Sequence, residues 1–136
     1  METRKTRWAM YNINYHLVWI PKYRKRILIG KVAQRLEWWI RHIAELNHIE
    51  VLTLEIQPDH VHLFVSAPPR FAPAALANLF KGVTARRLRE EFPHLVQTIP
   101  QALWTRTYYV GTAGNVSAEV IKHSIEACQP DRRGVE

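Results

Sequence analysis

Residues 50–67 read EVLTLEIQPDHVHLFVSA, and the fold follows from them. In 50–56, Val51, Thr53 and Glu55 alternate with Leu52, Leu54 and Ile56, the period-two pattern of a strand. Gln57-Pro58-Asp59 carries turn chemistry, since proline presets φ and aspartate bonds to its own backbone. Residues 60–67 resume as a second strand. Strands joined by so short a turn form an antiparallel hairpin.

Upstream, residues 12–20 read NINYHLVWI. Ile13, Tyr15, Leu17 and Trp19 share one face of a strand, and Asn12, Asn14, His16 and Val18 share the other. Pro21 ends the run, and a basic loop follows with Lys22, Arg24, Lys25 and Arg26. Val32, Leu36, Trp39, Ile40, Ile43 and Ala44 recur at helical spacing, which predicts a helix over 31–47 with Asn47 as its stop. Downstream, Pro73 opens a helix running to 91, with Leu76, Leu79, Phe80, Val83 and Leu88 on its apolar side. Aromatic and β-branched residues predict a fourth strand over 103–110, then a turn over 111–116. Ser117 can cap a last helix over 118–128, which Pro130 stops. The first six elements, βαββαβ, are the split arrangement of a ferredoxin-like α+β fold, an antiparallel sheet to which the C-terminal helix is an addition. The arms at 1–6 and 130–136 are expected to be loose.

Composition limits the function classes. The chain has 136 residues, the size of one domain, with its core expected within 7–129. Hydrophobic residues at 47% and charged residues at 23% exclude wholesale disorder. A single cysteine, Cys128, excludes a disulfide scaffold and suits a reducing compartment. The sequence has neither the apolar run of a membrane span nor the start of a signal peptide, so a cytoplasmic protein is expected. Lysine and arginine number 19 against 12 acidic residues, a net charge of +7. That excess points to a nucleic-acid partner.

Two clusters carry candidate chemistry. Side chains alternate along a strand, so Val61 and Leu63 face the core and free His60 and His62 to share the other face. Two imidazoles there can reach one metal ion, or can simply be polar residues on a solvated face. Asp59, Glu55, Gln57, Glu126 and Gln129 are candidate oxygen donors. A zinc-hydrolase motif is absent from the sequence. On the helix over 73–91, Lys81, Thr84 and Arg87 or Arg89 fall roughly on one side, near Arg86, and Gly82 allows close approach to the backbone. Such a face suits phosphates or is a solvated basic face. In the loop after Pro21, Lys22 and Arg24 are similar, and Tyr23 could stack on a base. Trp38 and Trp39 read as core or a dimer contact. Of Tyr108 and Tyr109, only one is expected to face the core.

These segments together resemble a known family. They are Asn14-Tyr15-His16-Leu17-Val18-Trp19 with Lys22-Tyr23-Arg24; Pro58-Asp59-His60-Val61-His62-Leu63; Lys81-Gly82-Val83-Thr84-Ala85-Arg86-Arg87; and Leu103-Trp104 with Tyr108-Tyr109-Val110. In this order, over about residues 10–129, they resemble the small single-tyrosine HUH transposases of single-strand insertion sequences, the IS200-like transposases. The resemblance implies a ferredoxin-like fold and a homodimer with joined sheets. It implies single-stranded DNA with hairpins as partner, bound by basic surfaces that here would include Lys22, Arg24, Lys81, Arg86 and Arg87. It implies a divalent metal, magnesium or manganese, held by His60, His62 and a glutamine of the last helix, here Gln129. It also implies a tyrosine on that helix that attacks the scissile phosphate.

This chain departs at that tyrosine. Aligning Ile125-Glu126 with the family segment puts Ser124 at the nucleophile position and Cys128 at the ligand position; aligning Gln129 instead puts Ile125 at the nucleophile position. No tyrosine follows Tyr109. A serine alkoxide leaves far less readily than a phenolate of pKa about 10, and its oxygen lies nearer the backbone. The expectation is a transposase-type protein whose catalysis is lost. The alternative is a non-catalytic hairpin-binding or single-strand-binding module derived from one.

Overall fold

The computed structural model describes residues 3–5, 9–112 and 117–129. β1 (Arg4–Lys5) pairs antiparallel with β2 (Met10–Tyr11) as a small ribbon. Arg4 is ion-paired with Glu50, which ties the ribbon to the main sheet.

Alternation in β3 (Asn14–Trp19) sends Leu17 and Trp19 to one face and Val18 to the other, and both faces are buried. α1 (Gly30–Leu46) gathers Val32, Leu36, Ile40, Ile43 and Ala44 into one buried stripe. Asn47 closes it, and His48 takes the left-handed conformation (φ 57°) common just past a helix end. β4 (Glu50–Gln57) and β5 (His60–Ser66) form the expected hairpin, with a bulge between Val51 and Thr53. α2 (Pro73–Glu91) starts with proline in its first turn, where a missing N–H costs nothing. The short α3 (Pro93–Thr98) follows, then β6 (Tyr109–Gly111) and α4 (Ala118–Cys128). Ser117 caps α4 through a hydrogen bond from the Val120 N–H.

The main sheet runs β4-β5-β3-β6, every neighbouring pair antiparallel, which is the order of the split βαβ arrangement. One face carries Leu17, Trp19, Val61, Leu63 and Val65 against α1 and α2. The other carries Val18, and with Ile20 it packs against Ile125 and Cys128 of α4. Because both faces are covered, Tyr108 and Tyr109 each find a core: Tyr108 packs on the first cluster and Tyr109 on the second.

The fourth strand is shorter than its composition predicts. Residues 103–108 form only a bridge, Pro21 to Trp104, and regular pairing starts at Tyr109. Lys81 explains the difference. Its ammonium donates to the carbonyls of Thr105, Arg106 and Thr107 at 2.7, 3.2 and 3.2 Å, so those oxygens bond to α2 instead of a neighbouring strand. Most of the turn over 111–116, Pro130 and the 130–136 arm lie outside the described residues.

Candidate functional site

β5 places His60 and His62 on one face by alternation, and the register sets Gln57 opposite His60 and Glu55 opposite His62. The histidines are not equally free. His60 is partly buried, and His62 is 5% exposed on the face that α4 packs against. The expectation that both histidines project freely is therefore corrected for His62. His16 of β3 lies beside it, with its Nδ1 at 2.9 Å from His62 Nε2 and the rings stacked at 5.1 Å. Sequence reading assigned His16 to a strand face and gave it no role; the contact crosses 46 residues, and the signal would have been the β3–β5 register. Burial pulls the His62 imidazole below its ordinary value, and the His16 and His60 rings add to this against Glu55, so His62 is neutral at pH 7.

His60 is held differently. Its Nδ1–H donates to Asp59 Oδ1 at 2.9 Å, which leaves Nε2 as the lone-pair nitrogen. Asp59 also accepts from Arg24 Nε at 2.8 Å. Burial works to raise the Asp59 carboxyl, but the hydrogen bonds and charges of His60 and Arg24 outweigh it and hold the group below its usual value. Arg24 reaches Asp59 from the turn Lys22–Arg24, where Tyr23 (φ 61°) and Arg24 (φ 52°) are both left-handed, an uncommon conformation for such residues. The other end of the guanidinium, Nη1, lies 3.4 Å from Gln129 Oε1. A polar chain thus runs from the end of α4 through Arg24 and Asp59 to His60.

The other predicted residues divide. Ser124 is 1% exposed, and its Oγ donates back to the Val120 carbonyl at 2.7 Å. Cys128 is buried, its thiol 3.7 Å from the Val18 carbonyl, and burial pushes its pKa up. Lys22 approaches Gln101 at 3.4 Å. Lys81 is the clamp described above. Arg87 lies over Trp39 and near Glu90, and Arg89 donates to the carbonyls of Ile99 and Pro100. Arg86 is exposed. Trp38 is exposed, not core, stacked on His42 with Arg35 over its ring.

The donor set fits a metal in part. His60 has the ring orientation that a carboxylate gives a ligand histidine, and His62 Nδ1 is buried with no hydrogen-bond partner. Among the described residues, no three His, Cys, Asp or Glu side chains converge as a metal site. A third donor would be the amide oxygen of Gln129.

Comparison with known proteins defines the group. Residues 9–128 match the family described as transposase IS200 like, and the chain belongs to this family. It is 38% identical over 125 residues to the ISDra2 transposase TnpA of Deinococcus radiodurans, covering 90% of this chain and 89% of that one. It is 31% identical to the transposase for insertion sequence element IS200 of Salmonella typhimurium, covering 89% and 80%. A Deinococcus radiodurans crystal structure described as a candidate transposase superposes with a TM-score of 0.83 at 36% identity, covering 93% and 98% of the two chains. The fold is also that of a REP-associated tyrosine transposase solved with a REP hairpin, at a TM-score of 0.52 and 14% identity, covering 90% and 68%. No helix among the described residues is long and apolar enough to cross a membrane.

Proposed function

We propose that this chain binds single-stranded DNA with hairpins as a transposase of the HUH single-tyrosine type, and that its own strand-nicking step is lost. The single observation that carries the loss is Ser124. With Ile125-Glu126 set on the family segment it takes the tyrosine's place, and its hydroxyl is buried and spent on the Val120 carbonyl. The DNA reading is supported by the family match, by the charge of +7 and by the REP hairpin bound to the tyrosine transposase of the same fold.

A magnesium or manganese ion would be held by His60, His62 and a group at the end of α4, Gln129 or, in the register that gives Ser124 the tyrosine's place, Cys128, and when bound it would polarise a phosphodiester as a Lewis acid. The chain's own residues prepare for this. Asp59 orients the His60 ring, and burial keeps His62 neutral, the form in which imidazole binds metal. A homodimer with joined sheets is part of the same reading.

The test incubates a labelled hairpin oligonucleotide and manganese with this chain, with Ser124→Tyr and with Ser124→Tyr carrying His60→Ala. Binding without a covalent adduct is expected from the chain as it stands. Ser124→Tyr is expected to give an adduct on a denaturing gel, and the added His60→Ala to remove it. An adduct on the unaltered chain would show another nucleophile at work, and no binding at low salt would end the DNA reading.

A further inference from the structure

His16 and His62 lie on different strands and meet through one defined contact. The register sets His16 opposite Phe64 and Val18 opposite His62. The two histidines are therefore diagonal neighbours across the β3–β5 pair, a spacing that ring side chains bridge. Both are buried, and His16 Nδ1 lies 2.9 Å from His62 Nε2 with the ring planes within 8° of parallel. His16 also stacks on the buried ring of Phe64, with centroids 3.9 Å apart and planes within 6°. Phe64 thus braces the His16 imidazole, and His16 in turn holds the His62 ring.

One proton lies between the two nitrogens, and the rest of the His62 ring says on which it sits. His62 Nδ1 is buried with no hydrogen-bond partner among the described residues. Were His16 the donor, that nitrogen would carry the N–H of a neutral ring, a buried donor with nothing to accept it, which folded proteins rarely keep. With His62 Nε2–H donating to His16 Nδ1, the orphan nitrogen is instead a bare lone pair. A lone pair on neutral imidazole is what a metal ion takes from histidine.

We propose that His16 is a positioning residue of the metal site, accepting the His62 Nε2 proton so that the Nδ1 lone pair is left for a divalent cation. The inference rests on the metal reading above and adds the residue that decides which nitrogen His62 offers. Asp59 does the same for His60 at the other ring nitrogen, accepting from Nδ1–H and leaving Nε2. Each candidate ligand histidine thus has a partner that fixes its tautomer and orientation, as metal-binding histidines commonly do. The two partners differ in kind. Asp59 is a carboxylate shared with Arg24, whereas His16 is a ring set by the β3–β5 register and braced by Phe64.

The experiment has a metal-free arm and a metal-bound arm. Long-range proton–nitrogen spectra of the metal-free chain near neutral pH, assigned with His62→Gln, read which His62 nitrogen carries the proton. A manganese titration followed by electron paramagnetic resonance of the free ion reads affinity without catalysis. Both are run on the unaltered chain, His16→Asn and His16→Leu. The asparagine oxygen stands near the place of His16 Nδ1 and can accept the same proton; leucine fills the space and accepts nothing. The His62 proton is expected on Nε2 in the unaltered chain and in His16→Asn, with similar manganese affinity. His16→Leu is expected to mix the two tautomers and to bind manganese about 10- to 100-fold more weakly. A thermal melt checks folding, and if His16→Leu does not fold, the unaltered chain and His16→Asn still decide. A His62 proton on Nδ1 in the unaltered chain, undiminished affinity in a folded His16→Leu, or the same loss in both variants would overturn the positioning role and leave the metal reading standing. If the unaltered chain shows the expected tautomer yet takes up no manganese, the metal reading falls and the role of His16 with it.

Discussion

At position 124 a hydroxyl is turned back on its own helix. Ser124 Oγ donates to a carbonyl four residues earlier, a common fate for serine inside a helix. A tyrosine ring there would carry its oxygen several ångströms further from the backbone and would leave as a phenolate. In the proposed reading, the loss of cutting is thus a matter of reach and leaving-group acidity at one side chain. One turn later, Cys128 shows what the same helix does with a buried group. Its thiol lies between α4 and β3, and burial raises its pKa, so little of the reactive thiolate is present at neutral pH. In the native chain, alkylation of Cys128 should therefore be at least about a hundredfold slower than in denaturant, since reaction waits on local opening. A thiol-reagent time course followed by intact mass checks this, and comparable rates in the two states would show that α4 does not stay on the sheet.

Among the elements, α2 acts as a scaffold for a segment with little regular structure of its own. Residues 99–107 are held by Arg89 at one end and by Lys81 at the other, and the Thr107 hydroxyl passes the tether on to the Cys128 carbonyl at the end of α4. Lys81 is half-buried, which pulls its pKa down but leaves three oxygens to accept its protons. Lys81→Met keeps most of the stem's packing and removes the bonds. It should cost about 2 kcal/mol, the range for hydrogen bonds to a charged donor. Amide exchange should rise first around 105–109, while the β4–β5 hairpin stays protected. A uniform rise across the chain would mean that Lys81 supports the whole fold and not this segment.

At the scale of the whole molecule, the sheet is closed above and below but not at its sides. α1 and α2 cover one face and α4 the other, while β4 and β6 end the strand order with no described neighbour beyond them. Open edges invite pairing with another strand. The proposed homodimer, with sheets joined, would satisfy one such edge. Light scattering at micromolar concentration should then return twice the mass of a 136-residue chain. A monomer mass would remove the dimer from the proposal and leave the fold untouched.

Much was determined by the sequence alone, because it depends on near neighbours. The β4–β5 hairpin, the stripe of α1, the proline start of α2 and the Ser117 cap of α4 are local patterns. So is the sharing of one strand face by His60 and His62. The missing tyrosine is also a fact of the sequence. The tertiary structure decided what those patterns meet. Residues 103–108 have strand composition, yet Lys81, some 25 residues earlier, takes their carbonyls. His62 was read as free, yet it is buried on the face that α4 packs against and touches a histidine 46 residues away. Arg24 and Gln129 are brought together across 105 residues, and Arg86 is left exposed while its neighbour Arg87 turns to Trp39. Periodicity records which face a side chain takes. Only the packed molecule settles which face is covered, which donors are spent and which charges remain free.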